Sequence, residues 1–244
     1  MAWCPDTVIG YAFCLCQWMF CPEKRLMRCL VLAILIALSA QARADECEQL
    51  PPPSVVIKRF DEGVALNKQY GYKTLTTLGA KLARPGNQVL GLTRGNAVVQ
   101  FSMSAQSVID RTGRWECFSP QLTLSYGFSP MTVFVANEFP EGSCAYKEIY
   151  EHELRHVKAY QEHMVGIEKA LQETLNRRFA TGGPWRGPVG QKRALLQQEL
   201  DERWARYVER EIAGVEVAQA LIDTPEEYER VANSCDGEIK RRIQ

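Results

Sequence analysis

His152, Glu153 and His156 stand in the order HExxH within the stretch Tyr150 to His163, YEHELRHVKAYQEH. On a helix, residues four apart lie one turn above each other, so two imidazoles can grip one metal ion while the glutamate between them faces the same pocket. Zinc takes such nitrogen ligands, and a carboxylate beside it can serve as a general base, which together is the chemistry of metal-assisted peptide hydrolysis. The plain alternative is that the histidines decorate the edge of an amphipathic helix. All three histidines of the chain, His163 included, fall inside this segment.

The elements around the motif agree with a helix. Tyr146, Ile149, Tyr150, Val157, Tyr160, Met164, Ile167 and Leu171 recur at helical spacing. Phe139-Pro140-Glu141-Gly142 breaks what precedes, and Ser143 or a near neighbour caps a helix predicted from about Cys144 to Phe179. Gly166 weakens its middle by ~1 kcal/mol relative to alanine and allows a kink. Thr181 to Pro188, with three glycines and two prolines, ends it. A second long helix is predicted from about Gln191 to Ile222, folding back on the first as an antiparallel hairpin. Pro225 opens a short final helix.

The part before the motif reads as strand and turn. Ser54 to Phe60 is rich in β-branched residues, and Thr74 to Leu82 suits either strand or helix. Val89 to Leu92 and Ala97 to Met103 flank Thr93-Arg94-Gly95-Asn96, a stretch that predicts a hairpin turn. Trp115 to Phe118, Gln121 to Tyr126 and Met131 to Ala136 add three strands. The segment Met131 to Glu138 either offers its edge to an extended peptide or lies inside the sheet with no free edge. The fold class is therefore α+β, a β-rich region (45–143) followed by a helical region (144–244) that carries HExxH, the two forming one catalytic unit.

A catalytic zinc usually has three protein ligands and one open position. His163 lies about 10 Å along the axis from His156, too far for a shared ion. Projected at about 100° per residue, the second helix gathers Leu196, Leu200, Trp204, Tyr207, Val208, Val215, Ala218 and Ile222 on one side, with Glu211 near the middle. Folded back, Glu211 comes opposite residue 159 or 160, so it is the predicted third ligand; Glu216 ranks second. The competing reading of Glu211 is a buried ion pair with Arg155 or Lys158. Glu153 is the predicted general base, with Tyr160 or His163 steadying the oxyanion.

Compartment is read from the N-terminus and the cysteines. Met27-Arg28, the apolar run Cys29 to Ala40 and Ala42-Arg43-Ala44 have the order of a secretory signal peptide cut after Ala44. The run is shorter than the ~20 residues a membrane-spanning helix needs. Residues 1–26 hold a separate apolar patch without cleavage logic, so Met27 is the expected start and 1–26 an upstream extension. Basic and acidic residues balance at 29 each in the full chain, and cleavage leaves 25 against 27. No field therefore points to nucleic acid, and no stable membrane anchor is expected. Cleavage also leaves four cysteines, an even number that suits two disulfides in an exported chain. The preferred pairing is Cys117 with Cys144 and Cys47 with Cys235. None of the four has CxxC spacing, which argues against a cysteine zinc cluster.

With its signal-like start, strand-rich first half and HELRH on a long helix, the chain resembles zincin-type metallopeptidases. More narrowly, VFVANEFPEGSCAYKEIYEHELRHV looks like the secreted zinc-dependent proteases predicted in bacteria. The resemblance covers roughly residues 115–235 and carries over His152, Glu153 and His156. It implies an exported, zinc-dependent peptidase acting on a peptide or protein. A third histidine at metzincin spacing and an ExxxD on the second helix are both missing from the sequence. The alternative from another class is a periplasmic binding or assembly factor in which HExxH is vestigial.

Overall fold

The computed structural model describes residues 46–60, 63–80 and 87–243. The signal-like segment and the upstream extension lie outside the described residues. The elements in chain order are β1 (Ser54–Arg59), β2 (Val64–Asn67), α1 (Tyr72–Leu78), β3 (Gly91–Ile109), β4 (Trp115–Val135), α2 (Cys144–Phe179), β5 (Trp185–Pro188), α3 (Gln191–Glu199), a π turn (Leu200–Trp204), α4 (Ala205–Ala213), α5 (Val215–Ala220), α6 (Pro225–Asn233) and α7 (Glu238–Arg242). This is an α+β chain with one mixed five-stranded sheet.

The long strand β4 is the axis of the sheet. Along one side it pairs in turn with β5 (antiparallel), β1 and β2 (both parallel); along the other it pairs with β3 over nearly its whole length. Met131 to Phe134 is therefore an interior segment with a neighbour on each side, and it offers no edge to a peptide. Among the described residues β3 pairs with β4 alone, so the outer edge of the sheet beside the motif belongs to β3.

The hairpin expected at Thr93–Asn96 does not form; β3 runs straight through it. Between Gly95 and Ala97 the register with β4 shifts, Gly95 lying opposite Met131 and Ala97 opposite Phe128. The glycine relieves a close approach instead of making a turn, since a Cβ there would lie 2.9 Å from Phe128 Cβ. The extra residue on β4 exchanges the faces of the pleat. Leu122, Leu124, Tyr126 and Phe128 before it, and Met131, Val133 and Val135 after it, thus join one core. The turn comes later, where the Asp110 carboxylate accepts from the N–H groups of Thr112, Arg114 and Trp115.

α2 lies on this core against β4, β1 and β3. Ser143 caps it, its hydroxyl accepting from Tyr146 N–H at 3.1 Å, and Gly166 leaves it a single continuous helix. The buried Tyr126 hydroxyl donates to Met164 O at 3.0 Å. Burial and the nearby Glu168 carboxylate push that phenol up to about 12.

The second arm is not one helix. Its buried residues Leu196, Leu200, Trp204, Val208 and Ile212 recur every fourth position. An ideal helix of 3.6 residues per turn would drift by about 40° at each such step. The π turn at Leu200–Trp204 takes up part of this drift, and Gly214 then separates α4 from α5.

Among the described residues two disulfides close the fold, with a pairing different from that expected. Cys47 joins Cys117 and Cys144 joins Cys235, at Cα separations of 5.5 and 5.7 Å. The parallel pairing of β1 with β4 accounts for the first. It lays the chain before β1 along β4, where Ser119 Oγ donates to Pro51 O, and so delivers Cys47 to Cys117. Cys144, at the first residue of α2, is left for the C-terminal segment. Two such bonds are compatible with an extracellular or periplasmic protein, and among the described residues no helix is long and apolar enough to cross a membrane.

Candidate metal centre

α2 presents His152, Glu153 and His156 to a groove of about 870 Å³. The start of β3 borders it on one side, and α4, α5, α6 and α7 close the others. Glu153 is 4% exposed and His156 7% exposed, so neither is an ornament of a solvated helix face.

The residue that joins the histidines is Asp223, in the turn between α5 and α6. Its Oδ1 lies 3.2 Å from His152 Nε2 and 3.2 Å from His156 Nε2, and the two Nε2 atoms are 3.1 Å apart. Three ligands at ~2.0–2.1 Å from a tetrahedral ion lie ~3.3 Å from one another. The triangle of side-chain atoms has that size. Among the described residues, His152, His156 and Asp223 form the group that could hold a metal ion.

The far side of each imidazole decides which nitrogen faces inward. His156 Nδ1 meets Gln219 Oε1, while Gln219 Nε2 donates to the backbone oxygen of His156 at 3.2 Å. That second bond fixes the amide so that its oxygen faces the ring, and the ring must donate from Nδ1. His152 Nδ1 meets Glu227 Oε1 at 3.1 Å. Arg155 Nη2 also approaches His152 Nδ1, at 2.9 Å, and competes as a donor for the same edge. Its side chain is 46% exposed and has water as an alternative, whereas the Glu227 side chain is 12% exposed, so the carboxylate sets the tautomer. With the protons on Nδ1, both Nε2 atoms converge with a carboxylate oxygen, an arrangement that could hold a cation. Outer partners of this kind orient metal-binding histidines.

The charges follow the same logic. Burial opposes charge on Asp223, but the His152 and His156 imidazoles beside it hold its carboxyl well below the usual carboxylate range. Hydrogen bonds from Arg230, Arg155 and His152 hold Glu227 down at about 2. For Glu153 burial dominates and pushes its pKa up, against the pull of the two histidines and of Thr93. A carboxyl raised in this way has the proton affinity that a base needs.

β3 positions that carboxylate. Thr93 Oγ1 lies 2.8 Å from Glu153 Oε2 and 3.1 Å from Glu153 O, donating to this residue from across the groove. Gly91 leaves the space for it, since a Cβ there would sit 2.5 Å from Glu153 Oε1 and 2.8 Å from Ile149 Cγ2. Gly91→Ala is therefore expected to displace Glu153 while sparing the two histidines. Metal content measured by mass spectrometry should hold, and any Glu153-dependent activity should fall by about tenfold or more.

Glu211 is not part of this cluster. Its contribution is its backbone carbonyl, which accepts from His163 Nε2 at 2.8 Å. The prediction assumed an unbroken helix; the π turn shifts the downstream register, and Ile212, 1% exposed, takes the core position projected for Glu211. Gly214 allows the close approach of His163, whose Cε1 would lie 3.1 Å from a Cβ there. His163 is thus held at the end of α4, away from the metal centre. Glu216, the second choice, lines the groove without belonging to the ligand triangle. Asp223 had no signal in the periodicity, because it lies in a turn after the last apolar residue of α5. The TPEE run that follows, a helix start with Thr224 as cap, was the available clue.

No family model, no curated protein and no solved structure matches this chain. The functional reading accordingly rests on the residues themselves.

Proposed function

We propose that the chain is a zinc-dependent peptidase in which His152, His156 and Asp223 hold the metal and Glu153 is the general base. The observation that carries this reading is the convergence of two imidazole nitrogens and one carboxylate oxygen at tetrahedral spacing, beside a buried carboxylate of raised proton affinity. Two nitrogen ligands and one oxygen suit zinc and leave a fourth position open. When bound, zinc supplies a Lewis acid for the substrate carbonyl and lowers the pKa of water towards ~7.

The chain's own residues do the rest. Glu153 takes a proton from the attacking water and returns it to the leaving amine, with Thr93 keeping the carboxylate aimed. The outer edge of β3 from Gly91 to Thr93 borders the groove and has backbone groups to pair with an extended peptide. Tyr160 lines the same groove, its ring packed edge-on against Phe128 at 4.5 Å. With His163 committed to Glu211 O, Tyr160 is the one of the two expected residues left to steady the oxygen of the cleaved carbonyl.

Metal analysis of the oxidised protein tests the reading. The expected result is near one zinc per chain, with hydrolysis of a mixed peptide library that stops on treatment with a chelator and returns with zinc. A chain that takes up no zinc would overturn the proposal in favour of a non-catalytic binding factor.

A further inference from the structure

The two disulfides are unlike in one respect that bears on the metal centre. Cys47 and Cys117 are 3% and 0% exposed, closed inside the protein. Cys144 is exposed and Cys235 partly so. A reductant in solution therefore meets the Cys144–Cys235 bond first, because exchange requires a thiolate to reach a disulfide sulfur.

The exposed bond also joins the two halves of the ligand set. Cys144 opens α2, which carries His152 and His156; Cys235 follows α6, whose approach carries Asp223 and whose first turns carry Glu227. α6 has no buried residue of its own. Its side-chain ties to α2 are polar, Glu227 with His152 and Arg155 and Arg230 with Glu148; the two arginine side chains are 46% and 50% exposed, and ion pairs of such exposed groups hold weakly. Beyond the bond the buried side chain is Ile239. Cys235 and Asp236 moreover take left-handed φ angles of 56° and 52°, which non-glycine residues adopt only when the surroundings hold them there. Opening the bond removes the covalent part of that hold, leaving hydrogen bonds such as Ala145 N–H to Glu238 and Arg242 to Glu138 O, and lets the segment relax.

We propose that Cys144–Cys235 is a redox latch on the metal centre. Closed, it keeps Asp223 with the two histidines; opened by a small dithiol, it lets Asp223 withdraw and weakens zinc binding. In the reaction one thiolate of the dithiol attacks Cys144 Sγ and Cys235 leaves as a thiolate. The second thiol then displaces Cys144 from the mixed disulfide. The protein gains two electrons and two protons, and the dithiol becomes a cyclic disulfide. This inference rests on the zinc reading given above.

The test treats the oxidised full chain with graded dithiothreitol, removes the reductant under inert gas, and maps open thiols by alkylation and mass spectrometry. Zinc affinity is then measured by competition with a chromophoric chelator. Cys144 and Cys235 are expected to open while Cys47 and Cys117 stay paired, and the zinc Kd to rise about tenfold or more. The double variant C144A/C235A, with no thiol there to bind zinc, is expected to show the same weakening with its circular dichroism unchanged. An unchanged Kd with the bond open, earlier opening of Cys47–Cys117, or unfolding of the whole chain on opening would each overturn the latch and leave the peptidase reading standing. Failure of the oxidised wild type to bind zinc would overturn both.

Discussion

Glu153→Gln is expected to keep its zinc and lose about 10²- to 10⁴-fold in peptide hydrolysis, the range that a positioned general base contributes. The amide has nearly the shape of the carboxylate and still accepts a hydrogen bond from Thr93, so the fold and the ligand triangle stay in place. What it lacks is a site for the proton. The carboxyl is buried, and its surroundings raise its affinity for a proton. Neutralising it therefore removes the base without disturbing a surface ion pair. Stopped assays at saturating substrate, run beside metal analysis of the same preparation, separate the outcomes. A variant that hydrolyses as fast as the wild type would remove Glu153 from the mechanism, and one that loses zinc would make it a structural support of the site.

The second large effect is on metal binding. Asp223→Ala removes one of three converging ligand atoms, so zinc affinity should fall by more than the ~10- to 100-fold typical of losing an outer partner. Gln219→Ala should fall within that smaller range, because it frees the His156 ring to turn without taking a ligand away. Glu211→Ala should bind zinc as the wild type does, since the backbone oxygen that meets His163 survives the change. Competition titration against a chelator of known affinity gives all three values. Equal losses in Glu211→Ala and Asp223→Ala would mean that the third ligand has been misplaced.

The measurements divide along the line between local and distant information. Periodicity, capping and the HExxH spacing are properties of one continuous helix, so α2, its Ser143 cap and the juxtaposition of His152, Glu153 and His156 were legible from neighbouring residues. The α+β class was legible for the same reason, since strand and helix patterns occupy separate halves of the chain. Thr93, Gly91, Gln219 and Glu227 were not legible. Each acts on the motif from an element far away in sequence, and nothing in its own neighbourhood marks it.

What only the tertiary structure decided are three matters of long-range register. Asp223, and not Glu211, stands beside the two histidines because a π turn and the break at Gly214 shift the face of the second arm, and a uniform 100° projection carries no account of either. Of the two readings of Met131 to Glu138, edge or interior, the interior one holds for Met131 to Phe134 because β2 and β3 flank it, and local propensity does not choose between neighbours. The disulfides exchanged partners for a related reason. Spacing along a chain does not say which ends meet, and the parallel entry of β1 placed Cys47 beside Cys117, leaving Cys144 to Cys235. The sequence by itself determined which side chains can do the chemistry on one helix. Packing between elements determined what stands opposite them, because each contact of that kind closes a loop whose ends no local pattern specifies.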